Sequence, residues 1–116
     1  EDYNNVRLLK PLDYPYLVYL MKNAKLILTD SGGIQEEAPS FGCPTLVMRY
    51  ETERKEGIEA GVSKLVGADY DKILKESEKI LTSSKAETRL KAQNPYGDGT
   101  ASKQIEGIIR KCLLNA

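Results

Sequence analysis

Along the chain the spacing of apolar positions alternates between the short runs of buried strands and the three- and four-residue steps of helices. Val6-Arg7-Leu8-Leu9-Lys10, halted by Pro11, predicts a short strand, because proline cannot continue a ladder. Asp13 then opens a helix whose stripe is Tyr14, Leu17, Leu20 and Met21, running to about Asn23 with Pro15 in its first turn. Lys25-Leu26-Ile27-Leu28-Thr29-Asp30 is a near-continuous apolar run of strand length, the pattern of a strand covered on both faces. Ser31-Gly32-Gly33 starts a second helix with Ile34, Ala38 and Phe41 on one face, ending at Gly42. Pro44 to Arg49 predicts a third strand. Tyr50 to Glu59 reads as a charged loop with one helical turn, closing at Gly61. Ser63 to Gly67 is a short fourth strand, followed by a helix carrying Ile73, Leu74, Ser77, Ile80 and Leu81 and a weaker helical stretch over about 86–92. Asn94-Pro95-Tyr96-Gly97-Asp98-Gly99 is dense in turn formers and reads as a sharp link that sends the last helix back across the domain. Thr100 is the expected cap of that helix, whose stripe is Ile105, Ile108, Ile109, Cys112 and Leu113.

Strands and helices in this alternating order predict an α/β fold, a Rossmann-like parallel sheet with flanking helices. Four strands make a small sheet of this kind, and the first would leave an open edge. The chain therefore reads as a single, partial domain over 1–116, incomplete on its N-terminal side.

Composition narrows the chemistry. With 116 residues, 41% of them hydrophobic, there is room for one core. Lys+Arg and Asp+Glu balance at 17 each, so no basic field draws nucleic acid or an anionic membrane, and any anion site must be local. No apolar run reaches the length of a membrane span. Cys43 and Cys112 have neither CxxC pairing nor metal-ligand spacing, which favours free thiols and a cytoplasmic setting, and Cys43 is expected to be a small buried thiol. The absence of histidine removes the commonest general base and zinc ligand, so no metal site is predicted.

One stretch stands where α/β sheets hold ligands. Thr29-Asp30-Ser31-Gly32-Gly33-Ile34-Gln35-Glu36-Glu37 runs from the carboxyl end of a strand into a helix N-terminus. First-turn amides lack intrahelical partners and carry partial positive charge, which suits a phosphate. Glycines at 32 and 33 let it approach, Ser31 offers a hydroxyl to the phosphate or to the helix as its cap, and Glu37 stands one turn on, within reach of ribose hydroxyls. Taken alone, Ser-Gly-Gly is better explained by Ser31 as an N-cap and the glycines as a tight turn. No Gly-Lys-Ser/Thr follows, so the segment is not a nucleoside-triphosphatase loop. Glu36 and Glu37 point about 100° apart on a helix, so only one faces a ligand.

LLKPLDY (Leu8 to Tyr14), LILTDSGGIQEEAPSFGCPTLVMR (Leu26 to Arg49), TER (Thr52 to Arg54), EAG (Glu59 to Gly61), KLVG (Lys64 to Gly67) and NPYGDG (Asn94 to Gly99) lie in colinear order over nearly the whole chain. In these stretches the sequence resembles the C-terminal domain of the non-hydrolysing UDP-N-acetylglucosamine 2-epimerases. The resemblance implies a glycosyltransferase B type fold with UDP between two Rossmann-like domains. It also implies an isomerase that interconverts UDP-GlcNAc and UDP-ManNAc by elimination and re-addition of UDP, without cofactor or metal. On the matching positions, Ser31, Gly32 and Gly33 would contact the diphosphate, Glu37 the ribose and Arg54 the UDP moiety, while Leu12, Tyr16 and Leu17 would neighbour the uracil. A guanidinium at 54 suits the role, since it holds two phosphate oxygens at once; without the resemblance it reads as a solvated loop arginine.

The chain departs from the family pattern at Leu12, commonly Gln, and at Leu17, usually Phe, which weakens the uracil contacts. Tyr14 is read as half-buried packing and Tyr16 as the ligand neighbour. The family's acid/base carboxylates and its active-site histidine lie outside the stretch this chain matches. The chain alone is therefore expected to be inactive and to need a missing N-terminal domain in cis or in trans, with a homodimer as the family's assembly. Two other readings share the motif: a hydrolysing UDP-sugar 2-epimerase relative, and a non-catalytic nucleotide-sugar-binding domain.

Overall fold

The computed structural model describes residues 3–83 and 94–115. Helix α1 (Tyr14–Asn23) leads to strand β1 (Ile27–Thr29), helix α2 (Gly32–Glu37) with a 3-10 turn (Ala38–Phe41), and strand β2 (Thr45–Val47). Helix α3 (Lys55–Glu59), strand β3 (Ser63–Leu65), helix α4 (Tyr70–Thr82) and helix α5 (Ala101–Leu114) complete the order. The strands form one parallel sheet in the order β1-β2-β3, with Leu28 opposite Leu46 and Leu46 opposite Lys64. Parallel pairing follows from helical crossovers between successive strands.

Hydrophobic burial centres on β2. Thr45, Leu46 and Val47 are all buried, and Met21, Ala38, Cys43, Val62 and Val66 close around them. This is why the Pro44 to Arg49 run reads as continuously apolar: a central parallel strand is covered on both faces. Cys43 is a fully buried thiol outside any disulfide, as expected, and its Sγ donates to the Ala24 carbonyl. Pro39 stops α2 after six residues, since its ring cannot donate to the helical ladder, and the chain tightens into the 3-10 turn that ends at Gly42. Asp69 caps α4 by accepting the Lys72 N–H at 3.0 Å.

Four expectations need correction. Val6 to Lys10 is not a strand: all five residues are exposed and none pairs with the sheet, so no burial of their apolar side chains stabilises an added strand, and the sheet has three strands instead of four. The strand cores are also shorter than the apolar runs. Thr100 does not cap α5 through its side chain. Its hydroxyl and N–H both donate to Asp98 Oδ1, at 2.5 and 3.0 Å, so the aspartate brackets the turn. Nor does α5 pack back across the domain. Ile105, Ile108, Ile109 and Leu113 have the expected period, yet each is more than half exposed. The weak helix expected over 86–92 lies outside the described residues.

The Asp98 bracket is pH-sensitive. Hydrogen bonds from the Thr100 hydroxyl and N–H hold the Asp98 carboxyl below the ordinary aspartate range. A depressed folded-state pKa means that the stabilisation is fully present above the unfolded value of about 3.9 and is lost as pH falls through the folded value. The expected result is an Asp98 carboxyl resonance that titrates below about pH 3.9 and moves up toward that pH in Thr100→Ala, which removes the hydroxyl and keeps the N–H. Titration of Asp98 at its ordinary pKa with Thr100 in place would contradict it.

Candidate functional site: a helix start beneath an arginine

β1 ends at Thr29 and the chain turns at once into α2. Thr29 is buried, and its hydroxyl accepts the Ser31 N–H at 3.0 Å, fixing the turn. Ser31 is the N-cap, with extended backbone (φ −78°, ψ 128°), and its Oγ accepts the Ile34 N–H at 3.4 Å. The Gln35 N–H bonds to the Ser31 carbonyl, the first rung of the helix. Among the described residues, the N–H groups of Gly32 and Gly33 have no protein acceptor. They are the orphan donors that every helix start leaves.

Arg54 is brought to this turn from the start of α3. A methyl group built on Gly32 would lie 2.7 Å from Arg54 Cζ and 2.9 Å from Nη2, so the guanidinium rests directly on the glycine. Gly32 is required for that approach. A methyl group on Gly33 would meet only Ser31 Oγ, at 3.7 Å, so the space over Gly33 is open. Arg54 Nε donates to Glu36 Oε1 at 3.0 Å and Nη1 pairs with Glu53 Oε2 at 3.6 Å. Nη2 makes no ion pair among the described residues. Arg54 is thus a half-buried, oriented arginine and not a solvated one. The Glu53 carboxyl is held below its ordinary range, first by its own backbone N–H and then by the Arg49 charge.

Glu36 and Glu37 diverge as their adjacency requires. Glu36 faces Arg54, whereas Glu37 accepts the Tyr14 hydroxyl at 2.5 Å. Tyr14 is therefore not half-buried packing: it is 60% exposed, and its phenol holds Glu37 at the outer end of α2. That hydrogen bond to the carboxylate raises the Tyr14 pKa above its ordinary value. Leu17 turns into an apolar cleft of about 290 Å³ with Leu20, Met21, Thr29 and Ile34. Leu12 and Tyr16 are exposed, and no hydrogen bond or ion pair among the described residues ties either to the Ser31–Glu37 segment. Ser31, Gly32, Gly33 and Arg54 are thus brought together with Glu37 one turn away, and Leu12 and Tyr16 are not.

Supporting residues that sequence patterning does not single out hold this arrangement. Gln35 is fully buried and accepts the Thr52 hydroxyl through Oε1 at 2.8 Å. Asn94 Nδ2 donates to the Glu36 carbonyl at 2.7 Å, tying the Asn94–Gly99 turn to α2. Between that turn and α2 lies a polar cleft of about 960 Å³ lined by Glu36, Ser40, Asn94, Tyr96, Asp98 and Gln104 among others. Its lining includes two carboxylates and no cation, so it does not suit a diphosphate. Among the described residues no cluster of His, Cys, Asp or Glu is arranged to hold a metal, and no helix is long and apolar enough to cross a membrane.

Comparison with known proteins decides the family. The sequence model described as UDP-N-acetylglucosamine 2-epimerase matches residues 1–110. The chain belongs to this family. It is 52% identical over 109 residues to the UDP-N-acetylglucosamine 2-epimerase of Campylobacter jejuni, an alignment covering 93% of this chain and 28% of that protein. The chain thus spans little more than a quarter of the curated relative. The UDP-GlcNAc 2-epimerase of Neisseria meningitidis, solved bound to UDP-GlcNAc, superposes with a TM-score of 0.79 and 43% identity, over 97% of this chain and 30% of that one. The Methanocaldococcus jannaschii UDP-GlcNAc 2-epimerase, in complex with UDP-GlcNAc and UDP, gives 0.74 and 38%, over 89% and 27%. The fold is accordingly the Rossmann-like α/β arrangement of a glycosyltransferase B type domain, within an isomerase family.

Proposed function

We propose that this chain is the UDP-binding, C-terminal domain portion of a UDP-N-acetylglucosamine 2-epimerase that interconverts UDP-GlcNAc and UDP-ManNAc. The observation that carries this reading is the pair of unpaired amides of Gly32 and Gly33, beneath the Arg54 guanidinium at the carboxyl end of β1. The diphosphate docks on those amides, with Arg54 against its oxygens and Ser31 Oγ beside it. Glu37 accepts hydrogen bonds from the ribose hydroxyls, and Leu17 with its apolar cleft lies toward the uracil.

In the reaction the C1–O bond to UDP breaks as the C2 proton leaves, giving a 2-acetamidoglucal. Return of UDP to C1 and of a proton to the opposite face of C2 completes the inversion. Negative charge grows on the departing diphosphate, so donors already aimed at it lower the barrier, each by about 10²- to 10³-fold in comparable sites. This chain has no histidine, and a preceding domain, in cis or in trans, supplies the groups that move the C2 proton.

The 116-residue chain alone is expected to turn over no UDP-GlcNAc, and robust turnover by it would refute the division of labour. The full-length protein given UDP-GlcNAc is expected to yield UDP-ManNAc. Free ManNAc with UDP would identify a hydrolysing relative, and absence of any product would identify a non-catalytic nucleotide-sugar binder.

A further inference from the structure

Arg54 occupies the N-cap position of α3, where a short polar side chain normally closes the first turn, and its own side chain makes no such bond. The missing cap comes from a residue far along the chain. Tyr96 Oη accepts the Gly57 N–H at 2.9 Å, the bond an N-cap side chain would make to the third helical residue, and donates to the Arg54 carbonyl at 2.9 Å. A methyl group on Gly57 would fall 2.7 Å from that hydroxyl, so glycine is what admits the phenol. On the other side of the same residue, the Arg54 N–H donates to Thr52 Oγ1 at 3.1 Å. The Thr52 hydroxyl in turn donates to the buried Gln35 of α2. Both backbone groups of Arg54 are thus held by side chains from other segments.

Tyr96 is itself anchored to the helix that carries the glycines. Its N–H donates to Asn94 Oδ1 at 2.9 Å, while Asn94 Nδ2 donates to the Glu36 carbonyl and to Ser40 Oγ. Glu36 is the residue whose carboxylate takes Arg54 Nε. A closed circuit therefore runs from α2 through the 94–96 turn to Arg54 and back.

We infer that Tyr96 and Thr52 are positioning residues for Arg54: Tyr96 caps α3 in place of the arginine's own side chain, Thr52 holds the Arg54 N–H, and together they free its guanidinium to lie over Gly32 and meet the diphosphate. This rests on the diphosphate reading above. An isolated Arg at an N-cap would leave the first-turn amides unsatisfied and its backbone free to swing, and the guanidinium would swing with it. Burial pushes the Tyr96 phenol above its ordinary range, so it remains a donor to the Arg54 carbonyl at neutral pH.

The test measures UDP affinity by calorimetry in the full-length protein for Tyr96→Phe, Arg54→Ala and the double variant, with thermal midpoints alongside. Tyr96→Phe keeps the ring and removes only the cap. It is expected to weaken UDP about tenfold when Arg54 is present and by less than about twofold when residue 54 is Ala, while lowering the midpoint equally in both backgrounds. Equal losses of affinity in both backgrounds, or none in either, would overturn the positioning role. Thr52→Val is expected to weaken UDP, and Thr52→Ser, which keeps the hydroxyl, to stay within about twofold of the parent protein. Equal weakening by both would count against the hydroxyl bridge. If Arg54→Ala leaves UDP affinity unchanged, the diphosphate reading itself fails and takes the inference with it; if Arg54→Ala weakens UDP and Tyr96→Phe does not, only the inference fails.

Discussion

Gly33→Ala is expected to leave the protein at least as stable and to bind UDP less well. Neither Gly32 nor Gly33 has a positive φ, so no left-handed conformation demands glycine at either position. Both lie in the first turn of α2, where alanine is the better helix former by up to about 1 kcal/mol. At position 33 the added methyl meets only Ser31 Oγ at an ordinary 3.7 Å, so nothing in the protein opposes it. The methyl would instead stand in the open space over the amides, between them and a phosphate. Weakening of UDP by about tenfold or more, near 1.4 kcal/mol, should therefore accompany an unchanged or raised thermal midpoint. Unchanged affinity for UDP would mean that Gly33 serves only the turn. Gly32 differs, because there the substituent strikes Arg54 first.

Leu46→Ala should bring the largest loss of stability. Leu46 is the middle residue of the central strand, 1% exposed, and its register partners Leu28 and Lys64 flank it on both sides. Removing its side chain leaves a cavity that neighbouring β1 and β3 cannot fill without shifting the sheet. The expected cost is about 2–5 kcal/mol, a large share of a typical domain's stability, read as a lowered urea midpoint with unchanged slope. The same truncation at Leu28, 44% exposed on the edge strand, should cost much less. Equal costs at the two positions would contradict the placement of the core around β2.

Much of the fold is legible in the residues. The Pro44–Arg49 run predicts a parallel strand because a strand covered on both faces must be apolar at successive positions. The Lys25–Asp30 run predicts a strand in the same way, but β1 lies at the edge of the sheet and leaves Leu28 exposed, so its two-sided covering is not found. The Thr29–Glu37 segment announces a strand running into a glycine-rich helix start, a juxtaposition that is local in sequence and therefore readable. What is not legible depends on contacts between distant segments. Val6 to Lys10 has strand composition but pairs with no strand, and composition carries no information about a partner. Arg54 reads as one more charge in an acidic loop until Gly32, Glu36 and Glu53 are seen around it. Tyr14 looks like a helix-face aromatic, and only the fold sets its hydroxyl against Glu37. The turn formers of Asn94 to Gly99 do identify a turn, while giving no sign that Asn94 and Tyr96 hold α2 and α3 together.

The functional reading depends above all on a diphosphate binding the unpaired amides at the start of α2. A crystal structure of the full-length protein with UDP is the decisive experiment. Diphosphate oxygens are expected within about 3 Å of the Gly32 and Gly33 nitrogens, with the Arg54 guanidinium on the same group. A nucleotide seated on another surface, or those two amides closed off by protein acceptors while UDP is bound, would contradict the reading.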